Sequence, residues 1–380
     1  MQVFFDDQIF HKQCRGGISR YYTDLALGLA KREGIRVVVF GGWHKNVFLK
    51  ELTASQHLKI LQRPRSASLR INRWAQRLSK VWRRLAFLQA IKQDPETIYH
   101  PTYFQVDDFL QRHAKGTVVT FYDMMAEVFL KERQVRHRSD KKNAALKTDA
   151  IIAISDSTRR DLQHFYPGIK TPIAVTHLTS NLGTLEDKVL PDFFLSASSY
   201  FLMIGPRAGY KNGLVALQAF GLLAKNRPNI HLVLCSQADL TAEEEGVLAR
   251  AGIREQVHAI DADDTLLVRL LRGAIALIYP SRYEGFGLPV LEAMQQGCPV
   301  VTTRLTSLPE VVGEAGIYVD ADSVEGMAAT MEQLLTHPPK AQDSIKKGYE
   351  QAQKFTLANM VDGTLEVYEQ VLTRTANGGQ

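Results

Sequence analysis

Cysteine and long apolar runs are both scarce in this sequence. The three cysteines, Cys14, Cys235 and Cys298, lie far apart and form no C-x-x-C pair. We therefore expect free buried thiols in a reducing compartment and no cysteine-ligated metal. No run approaches the roughly 18 consecutive apolar residues of a membrane-spanning helix. The segment 1–10 lacks a basic stretch followed by an apolar core, so the sequence predicts a cytoplasmic protein.

The sequence does have enough length for two domains, and its charge is uneven. A chain of 380 residues suits two domains of about 150–200 residues. Residues 1–180 carry 30 basic and 16 acidic side chains, a net charge of +14, and the remaining 16 basic and 24 acidic side chains give −8. The N-terminal half is therefore expected to be attracted to anionic surfaces, and the C-terminal half is not.

Short apolar runs alternate with helical patterns in both halves of the chain. The strand candidates are 2–6, 35–40, 97–100, 117–121, 150–155, 200–205, 231–235, 274–279 and 298–303. Apolar strands separated by helices predict parallel sheets that are covered on both faces. Because the alternation restarts near residue 195, we predict two doubly wound α/β domains, 1–185 and 186–356. The last helix, 357–376, is predicted to pack back on the first domain.

A glycine-rich loop leads into a short helix in the second half. Pro289 suits the first turn of a helix and Gly297 suits its C-terminal end, which predicts a helix over 289–296. Gly285 and Gly287 let the backbone approach a ligand closely, and the free N–H groups of the first turn favour an anion.

Two glutamates flank this loop. Because Glu284 and Glu292 would repel a phosphate, we expect each carboxylate to accept hydrogen bonds from a diol on one side of it. A nucleotide sugar, with two polyol rings beside a diphosphate, has this arrangement. The alternative is an ordinary helix N-terminus with one capping and one solvated carboxylate.

The segment YEGFGLPVLEA resembles the E-x7-E motif of retaining glycosyltransferases of family 4, and the resemblance continues through 280–320. That family has the GT-B fold, in which two Rossmann-like domains face each other across a cleft. The resemblance implies that Glu284 contacts the transferred sugar and Glu292 the ribose. It also implies that four residues offer backbone N–H groups to phosphate and sugar: Gly285, Phe286, Gly287 and Leu288.

Two basic residues follow the first strand of the second domain. Arg207 and Lys211 lie in IGPRAGYKNG, where fixed cations can stabilise a departing diphosphate without a metal. The resembled family places an Arg and a Lys at this point, although two solvated charges are the alternative. The literal D-x-D triplets, 261–263 and 320–322, are interpreted as a helix cap and a strand end, so no metal is predicted.

Candidate residues in the first domain are fewer. Gly16 and Gly17 open a helix and, by resemblance, form a glycine loop that faces the donor phosphates. Arg20 and Tyr21 follow that loop and are candidates for acceptor contacts.

Two strand ends in the first domain supply further candidates. Tyr122 and Asp123 stand where many family members have His-Asp. Asp123 is a candidate for orienting or deprotonating the acceptor, or else a helix cap. His100, at another strand end, is a further acceptor candidate or a structural histidine.

A helix rich in arginine and tryptophan spans 68–92. Its apolar positions recur at helical spacing, so the helix either packs on the domain core or lies on an anionic membrane. Segments 63–92 and 131–142 are therefore predicted to hold the protein peripherally on the inner face of the cell membrane.

The function that the sequence favours is metal-independent, retaining transfer of a hexose from a UDP-sugar such as UDP-glucose. The acceptor is predicted to be a lipid-linked saccharide in envelope or exopolysaccharide synthesis. A GDP-mannose donor is one alternative, and a basic nucleic-acid-binding α/β protein is an alternative of another class, which the acidic half disfavours. No G-x-G-x-x-G follows either first strand, which excludes a dinucleotide-dependent oxidoreductase.

Overall fold

The computed structural model describes residues 1–44, 46–52, 58–64, 73–129, 135–182, 199–225, 227–236 and 238–377. The chain divides into two compact units. The first unit is Met1–Leu178 together with Leu357–Gln380, and the second is Thr179–Thr356. The division thus falls a few residues before the position expected from sequence, and the last helix belongs to the first unit.

The first unit is built on a seven-stranded parallel sheet of order β3-β2-β1-β4-β5-β6-β7. Its strands are β1 Gln2–Phe5, β2 Arg36–His44, β3 Leu58–Pro64, β4 Thr97–His100, β5 Gly116–Phe121, β6 Ala150–Ala153 and β7 Ile173–Val175. Its helices are α1 Gln8–Lys12, α2 Gly17–Ala30, α3 Leu49–Leu52, α4 Arg73–Gln93, α5 Asp108–His113, α6 Met125–Phe129, α7 Val135–Lys147, α8 Asp156–Phe165 and α16 Leu357–Asn377. Every residue of β1, β4, β5 and β6 is buried, as expected for strands covered on both faces.

The second unit contains a six-stranded parallel sheet of order β10-β9-β8-β11-β12-β13. Its strands are β8 Ser199–Ile204, β9 Ile230–Cys235, β10 Val257–Ile260, β11 Leu277–Tyr279, β12 Val300–Thr302 and β13 Gly316–Tyr318. Its helices are α9 Gly213–Ala224, α10 Ala242–Ala251, α11 Asp264–Gly273, α12 Leu288–Gln295, α13 Leu308–Val312, α14 Val324–Thr336 and α15 Pro338–Ala352. These two doubly wound sheets confirm the predicted α/β fold class.

Helix α16 packs on the first unit where two glycines remove side-chain bulk. Gly28 of α2 faces Leu357 and Val361, and Gly116 at the start of β5 faces Val371. A Cβ atom would collide with Val361 at Gly28 and with Val371 at Gly116. The close approach of α16 therefore depends on glycine at both positions.

The strand orders identify where each unit presents ligand-binding loops. In an open parallel sheet, ligands bind beyond the carboxyl ends of the strands, where the strand order reverses. This point lies between β1 and β4 in the first unit and between β8 and β11 in the second. The segments 205–211 and 281–287 follow β8 and β11, so the two motifs of the second half meet at one switch point.

The structure also bears on two predictions about the chain as a whole, the state of its cysteines and the absence of membrane-spanning helices. The cysteines are free, and Cys235 and Cys298 are buried as expected, but Cys14 is exposed. No helix among the described residues is both long enough and apolar enough to cross a membrane.

Candidate functional site

The glycine loop after β11 leads into α12, as the sequence predicts. Gly287 caps the helix with a φ of 94°, a conformation that favours glycine. The helix begins at Leu288, one residue before the predicted start. It ends where Gly297 adopts a φ of 70° and the Cys298 N–H bonds the Ala293 carbonyl at 2.9 Å.

Glu284 and Lys211 form an ion pair across the switch point of the second unit. Lys211 Nζ lies 2.7 and 2.8 Å from the two carboxylate oxygens of Glu284. The Lys211 ammonium also lies 5.4 Å from the ring centre of Tyr210 and 5.6 Å from that of Tyr279. The side chain of Lys211 is 18% exposed and that of Glu284 is 9% exposed. The pair is therefore shielded by aromatic rings but still reaches solvent.

The turn that carries Lys211 is anchored at both flanks. The Arg282 N–H donates to the Tyr210 carbonyl at 2.7 Å. Asn212, in the left-handed conformation with a φ of 61°, donates its side-chain amide to the Pro280 and Ala321 carbonyls. These contacts tie the turn after β8 to the ends of β11 and β13 and fix the position of Lys211.

Arg207, the second predicted phosphate ligand, is engaged elsewhere in the same unit. Its Nε donates to Glu244 Oε1 at 2.7 Å and its Nη2 to Glu244 Oε2 at 3.2 Å. Nη2 also donates to the backbone carbonyls of Ala238 and Asp239. Arg207 and Glu244 are both buried. The sequence analysis missed Glu244, although the capping-box pattern from Thr241 to Glu244 marks the start of α10.

Glu292, on α12, is half-buried and accepts a hydrogen bond from Ser180 Oγ at 3.2 Å. Gln295, one turn later, donates to the Ser180 carbonyl at 3.1 Å. The segment that enters the second unit is thus bound to the helix that carries the second motif glutamate.

The D-x-D triplets have local structural roles. Asp263 is the N-cap of α11 and accepts from the Leu266 N–H at 2.8 Å, in agreement with the predicted cap. Asp320 accepts from the Asp322 N–H at 2.9 Å. Asp322 also pairs with Arg282.

In the first unit, α2 begins at Gly17 with Gly16 as its N-cap. The Ser19 N–H of the first turn donates to Gln13 Oε1 at 3.1 Å. Arg20 lies over the Phe48 ring at 4.2 Å, so this candidate for acceptor contact is held against a neighbouring segment.

Three acceptor candidates, Tyr21, His100 and Tyr122, are buried inside the first unit. His100 has no exposed surface and lies 2.7 Å from Tyr368 Oη and 2.9 Å from Thr120 Oγ1. Burial lowers the pKa of His100 to about 3, far below the range suited to a general base at neutral pH. The burial of all three side chains argues against direct acceptor contact and favours the structural interpretation of His100.

Asp123 acts as the helix cap that the sequence offered as one alternative, and its acceptor role stays a prediction. Its Oδ1 accepts from the Met125 N–H at 3.1 Å, as a cap for α6, yet its side chain is 38% exposed. Lys141, fully buried, donates to Asp123 Oδ1 at 3.2 Å and to Glu127 Oε2 at 3.1 Å. Tyr166 donates to the second oxygen of Glu127 at 2.8 Å. A buried lysine therefore fixes the candidate carboxylate.

The apolar side chains of the basic helix are divided between the core and solvent. Four apolar side chains, here named the α4 stripe, lie at one-face spacing and are 46 to 61% exposed: Leu78, Val81, Trp82 and Leu85. Phe87 and Ala90 pack into the core instead. The core-packing alternative therefore does not hold for Leu78, Trp82 and Leu85.

Several of the basic residues predicted to face lipid are bound internally. Arg83 pairs with Asp7 at 2.8 Å and with Asp107 at 3.1 Å, and Arg84 pairs with Asp107 at 3.0 Å. Lys141 of the second basic segment is buried, as described above. The parts of the predicted membrane segments at 65–72 and 131–134 lie outside the described residues.

Comparisons with known proteins identify the family to which the two units belong. The model of "Glycosyltransferase Family 4" matches residues 15–178 and that of "Glycosyl transferases group 1" matches 194–351. The O-antigen chain mannosyltransferase B of Escherichia coli is 30% identical over 93% of this chain and 96% of its own. The MMP alpha-(1->4)-mannosyltransferase of Mycolicibacterium hassiacum is 33% identical over 39% of this chain and 37% of its own.

The structural similarity extends over nearly the whole chain. The sucrose-phosphate synthase of Thermosynechococcus elongatus superposes with a TM-score of 0.73 at 18% identity, covering 98% of this chain and 99% of that one. This similarity and the two doubly wound units show that the chain has the GT-B fold. The chain belongs to glycosyltransferase family 4. It is therefore a glycosyltransferase, and the nucleic-acid-binding alternative is set aside.

Proposed function

We propose that the chain is a retaining mannosyltransferase that uses GDP-mannose and a lipid-linked saccharide acceptor in the synthesis of surface polysaccharide. The relative that matches it over nearly its full length is named an O-antigen chain mannosyltransferase, and a second, partial relative is named a mannosyltransferase. These names favour mannose over the UDP-glucose that the sequence analysis preferred from general family usage.

The Lys211–Glu284 pair is the observation that carries this proposal. When a nucleoside-diphosphate sugar arrives, its phosphates offer Lys211 a partner of higher charge than one carboxylate. Glu284 then becomes an acceptor for the hydroxyls of the sugar, and the neutral rings of Tyr210 and Tyr279 keep the ammonium in place. The ion pair thus holds both groups in position before the donor binds.

Lys211 stabilises the leaving group in this mechanism. Negative charge grows on the diphosphate as the bond to the sugar breaks, and a fixed ammonium in a shielded site lowers that barrier. The N–H groups at the start of α12, beyond Gly287, act on the same charge. Because Glu284 binds hydroxyls, the acceptor attacks on the face of the leaving diphosphate, and a diphosphate oxygen takes its proton. This same-face route retains the sugar configuration without a protein nucleophile.

Ligand titration followed by turnover tests the donor assignment. GDP is expected to raise the melting temperature of the chain more than UDP or ADP at equal concentration. GDP-mannose with a short mannoside acceptor is then expected to give an α-linked product. Glu284→Gln should reduce kcat/KM by about 100-fold or more with little change in melting temperature. A larger shift with UDP and turnover of UDP-glucose would replace mannose with glucose in this proposal.

The α4 stripe supports membrane contact for the lipid-linked acceptor. Four exposed apolar side chains on one helix face cost free energy in water and gain it in the interfacial region of a bilayer. Exposed Lys80 lies on the same helix and favours anionic lipid. Apolar burial therefore carries more of the proposed attachment than the arginines that the sequence suggested.

Vesicle sedimentation tests this attachment. The wild-type chain is expected to sediment with phosphatidylglycerol vesicles. Leu85→Glu should weaken binding by about tenfold or more because a buried leucine contributes about 1.5–3 kcal/mol. Leu222→Glu is the matched control, because Leu222 is 57% exposed on a helix of the second unit. Equal losses in the two variants would contradict a role for the α4 stripe.

A further inference from the structure

We propose that Arg207 and Glu244 form a positioning pair that holds Lys211 for the donor diphosphate, and that Arg207 itself makes no phosphate contact. This inference rests on the proposed donor site of the second unit. It reassigns a residue predicted to be catalytic and adds one, Glu244, that the motif does not contain.

The contacts of Arg207 leave little of its guanidinium for a ligand. Nε and Nη2 are occupied by both carboxylate oxygens of Glu244 and by two backbone carbonyls. Nη1 is buried and has no hydrogen-bond partner among the described residues. Arg207 as a whole is 6% exposed. A phosphate therefore has no open path to this cation, and its charge is already compensated by the carboxylate at 2.7 Å.

The carboxylate of Glu244 is likewise occupied by contacts within the second unit. Besides Arg207, its Oε2 accepts from the Thr241 N–H at 2.8 Å, which completes the capping box of α10. Burial disfavours its charged form, but the hydrogen bond and charge of Arg207 hold the pKa of Glu244 below its ordinary value. The carboxylate is thus ionised, and it links the start of α10 to the strand end that carries Arg207.

The backbone of Arg207 connects this pair to Lys211. The Arg207 carbonyl accepts from the Gly213 N–H at 2.8 Å, so it holds the first residue of α9. A Cβ at Gly213 would collide with Arg207, which shows how closely the two residues pack. Lys211 lies in the short turn between them, and its N–H bonds the Ala208 carbonyl at 3.3 Å. When the Arg207 side chain is fixed by α10, both ends of the turn are fixed and Lys211 is aimed at Glu284.

The direction in which Glu244→Gln changes diphosphate affinity shows whether Arg207 positions Lys211 or contacts the phosphate itself. If Arg207 touched phosphate, Glu244→Gln would leave its positive charge uncompensated and tighten the binding of diphosphates. If the pair positions Lys211, Glu244→Gln loosens the turn and weakens binding. Gln preserves the capping interaction at this helix position, so the change isolates the ion pair.

Calorimetric affinities for GDP, UDP and the corresponding monophosphates test the proposal. We expect Glu244→Gln and Arg207→Gln each to weaken diphosphate binding by about tenfold, as a small misplacement of Lys211 would cause. The monophosphate affinity should change much less. The double variant Arg207→Gln/Glu244→Gln leaves no unpaired buried charge and should fold, and its loss should match that of a single variant because the pair acts as a unit.

A neighbouring pair on the same helix supplies the control. Glu245 of α10 pairs with Arg254 at 2.9 Å, and both side chains are about half exposed. Glu245→Gln should leave nucleotide affinity unchanged. Tighter or unchanged diphosphate binding in Glu244→Gln overturns the positioning role while the donor site stands. Failure of the wild-type chain to bind either diphosphate overturns the donor site and the inference together.

Discussion

Each unit pairs a lysine with a carboxylate that lies beyond the end of a parallel strand, Glu284 in the second unit and Asp123 in the first, but the two arrangements differ in burial. In the second unit, Lys211 and Glu284 both reach solvent, and Lys211 is surrounded by aromatic rings. In the first unit, Lys141 and Glu127 are sealed inside the fold, and only Asp123 emerges. The same chemical pair therefore serves two purposes. An accessible pair can exchange partners with a ligand, whereas a sealed pair fixes the structure around it.

The largest expected difference concerns stability. Lys141→Met leaves the buried Glu127 carboxylate without its cation and should lower the free energy of unfolding by about 3–5 kcal/mol. Lys211→Met should cost about 1 kcal/mol, because water can reach Glu284 and replace part of the lost interaction. Urea unfolding of the two variants measures both losses. Equal losses would show that the two pairs do not differ in the way their burial indicates.

A smaller difference is expected in how the stability of each unit changes at acidic pH. His100 has its pKa lowered by burial to about 3 in the folded chain, against about 6.5 when unfolded. Between these values the unfolded chain binds more protons, so stability falls as pH decreases, by about 1.4 kcal/mol per unit below pH 6.5. In the second unit, burial and then His231 lower the pKa of half-buried His258, and we expect a weaker dependence there.

Hydrogen exchange measured at pH 7.5 and 5.5 can follow the two units separately. Protection factors, which correct for the slower intrinsic exchange at pH 5.5, should fall more in peptides covering β4 and β5 than in those covering β8 and β9. His100→Gln should remove most of that loss of protection, whereas His164→Gln, at an exposed position of α8, should not. A loss of protection that persists in His100→Gln would assign the acid response to other groups.

The smallest expected effect is that of a chelator. We expect transfer activity to be unchanged in EDTA, because in the proposed donor site Lys211 and the amides at the start of α12 supply the positive potential for the diphosphate. The D-x-D carboxylates are occupied locally, since Asp263 caps α11 and Asp322 pairs with Arg282. Loss of activity in EDTA, restored by Mg²⁺ or Mn²⁺, would assign part of that role to a metal.

Local features of the fold could be predicted from the sequence because their causes are local. Pro289 and Gly297 bound α12 to within one residue, and the alternation of apolar runs predicts the two parallel sheets. The proximity of Lys211 to Glu284 follows from strand topology, because both motifs lie beyond strands that meet at a switch point.

The remaining features depend on contacts between distant residues. Arg207 pairs with Glu244 of α10, and Lys141 of α7 binds Asp123 and Glu127. No sequence pattern predicts either pairing. The α4 stripe shows another limit. Helical periodicity locates an apolar face, but it does not determine whether that face meets the core, and here Phe87 on the other side does so.

The second unit is one continuous segment, whereas the first needs the end of the chain to complete it. The second unit can therefore complete its core without α16, whereas the first unit cannot. Until Val361 and Val371 pack in place, the surfaces of α2 and β5 around Gly28 and Gly116 stay uncovered. A premature stop before residue 357 would thus damage the N-terminal unit while leaving its neighbour intact.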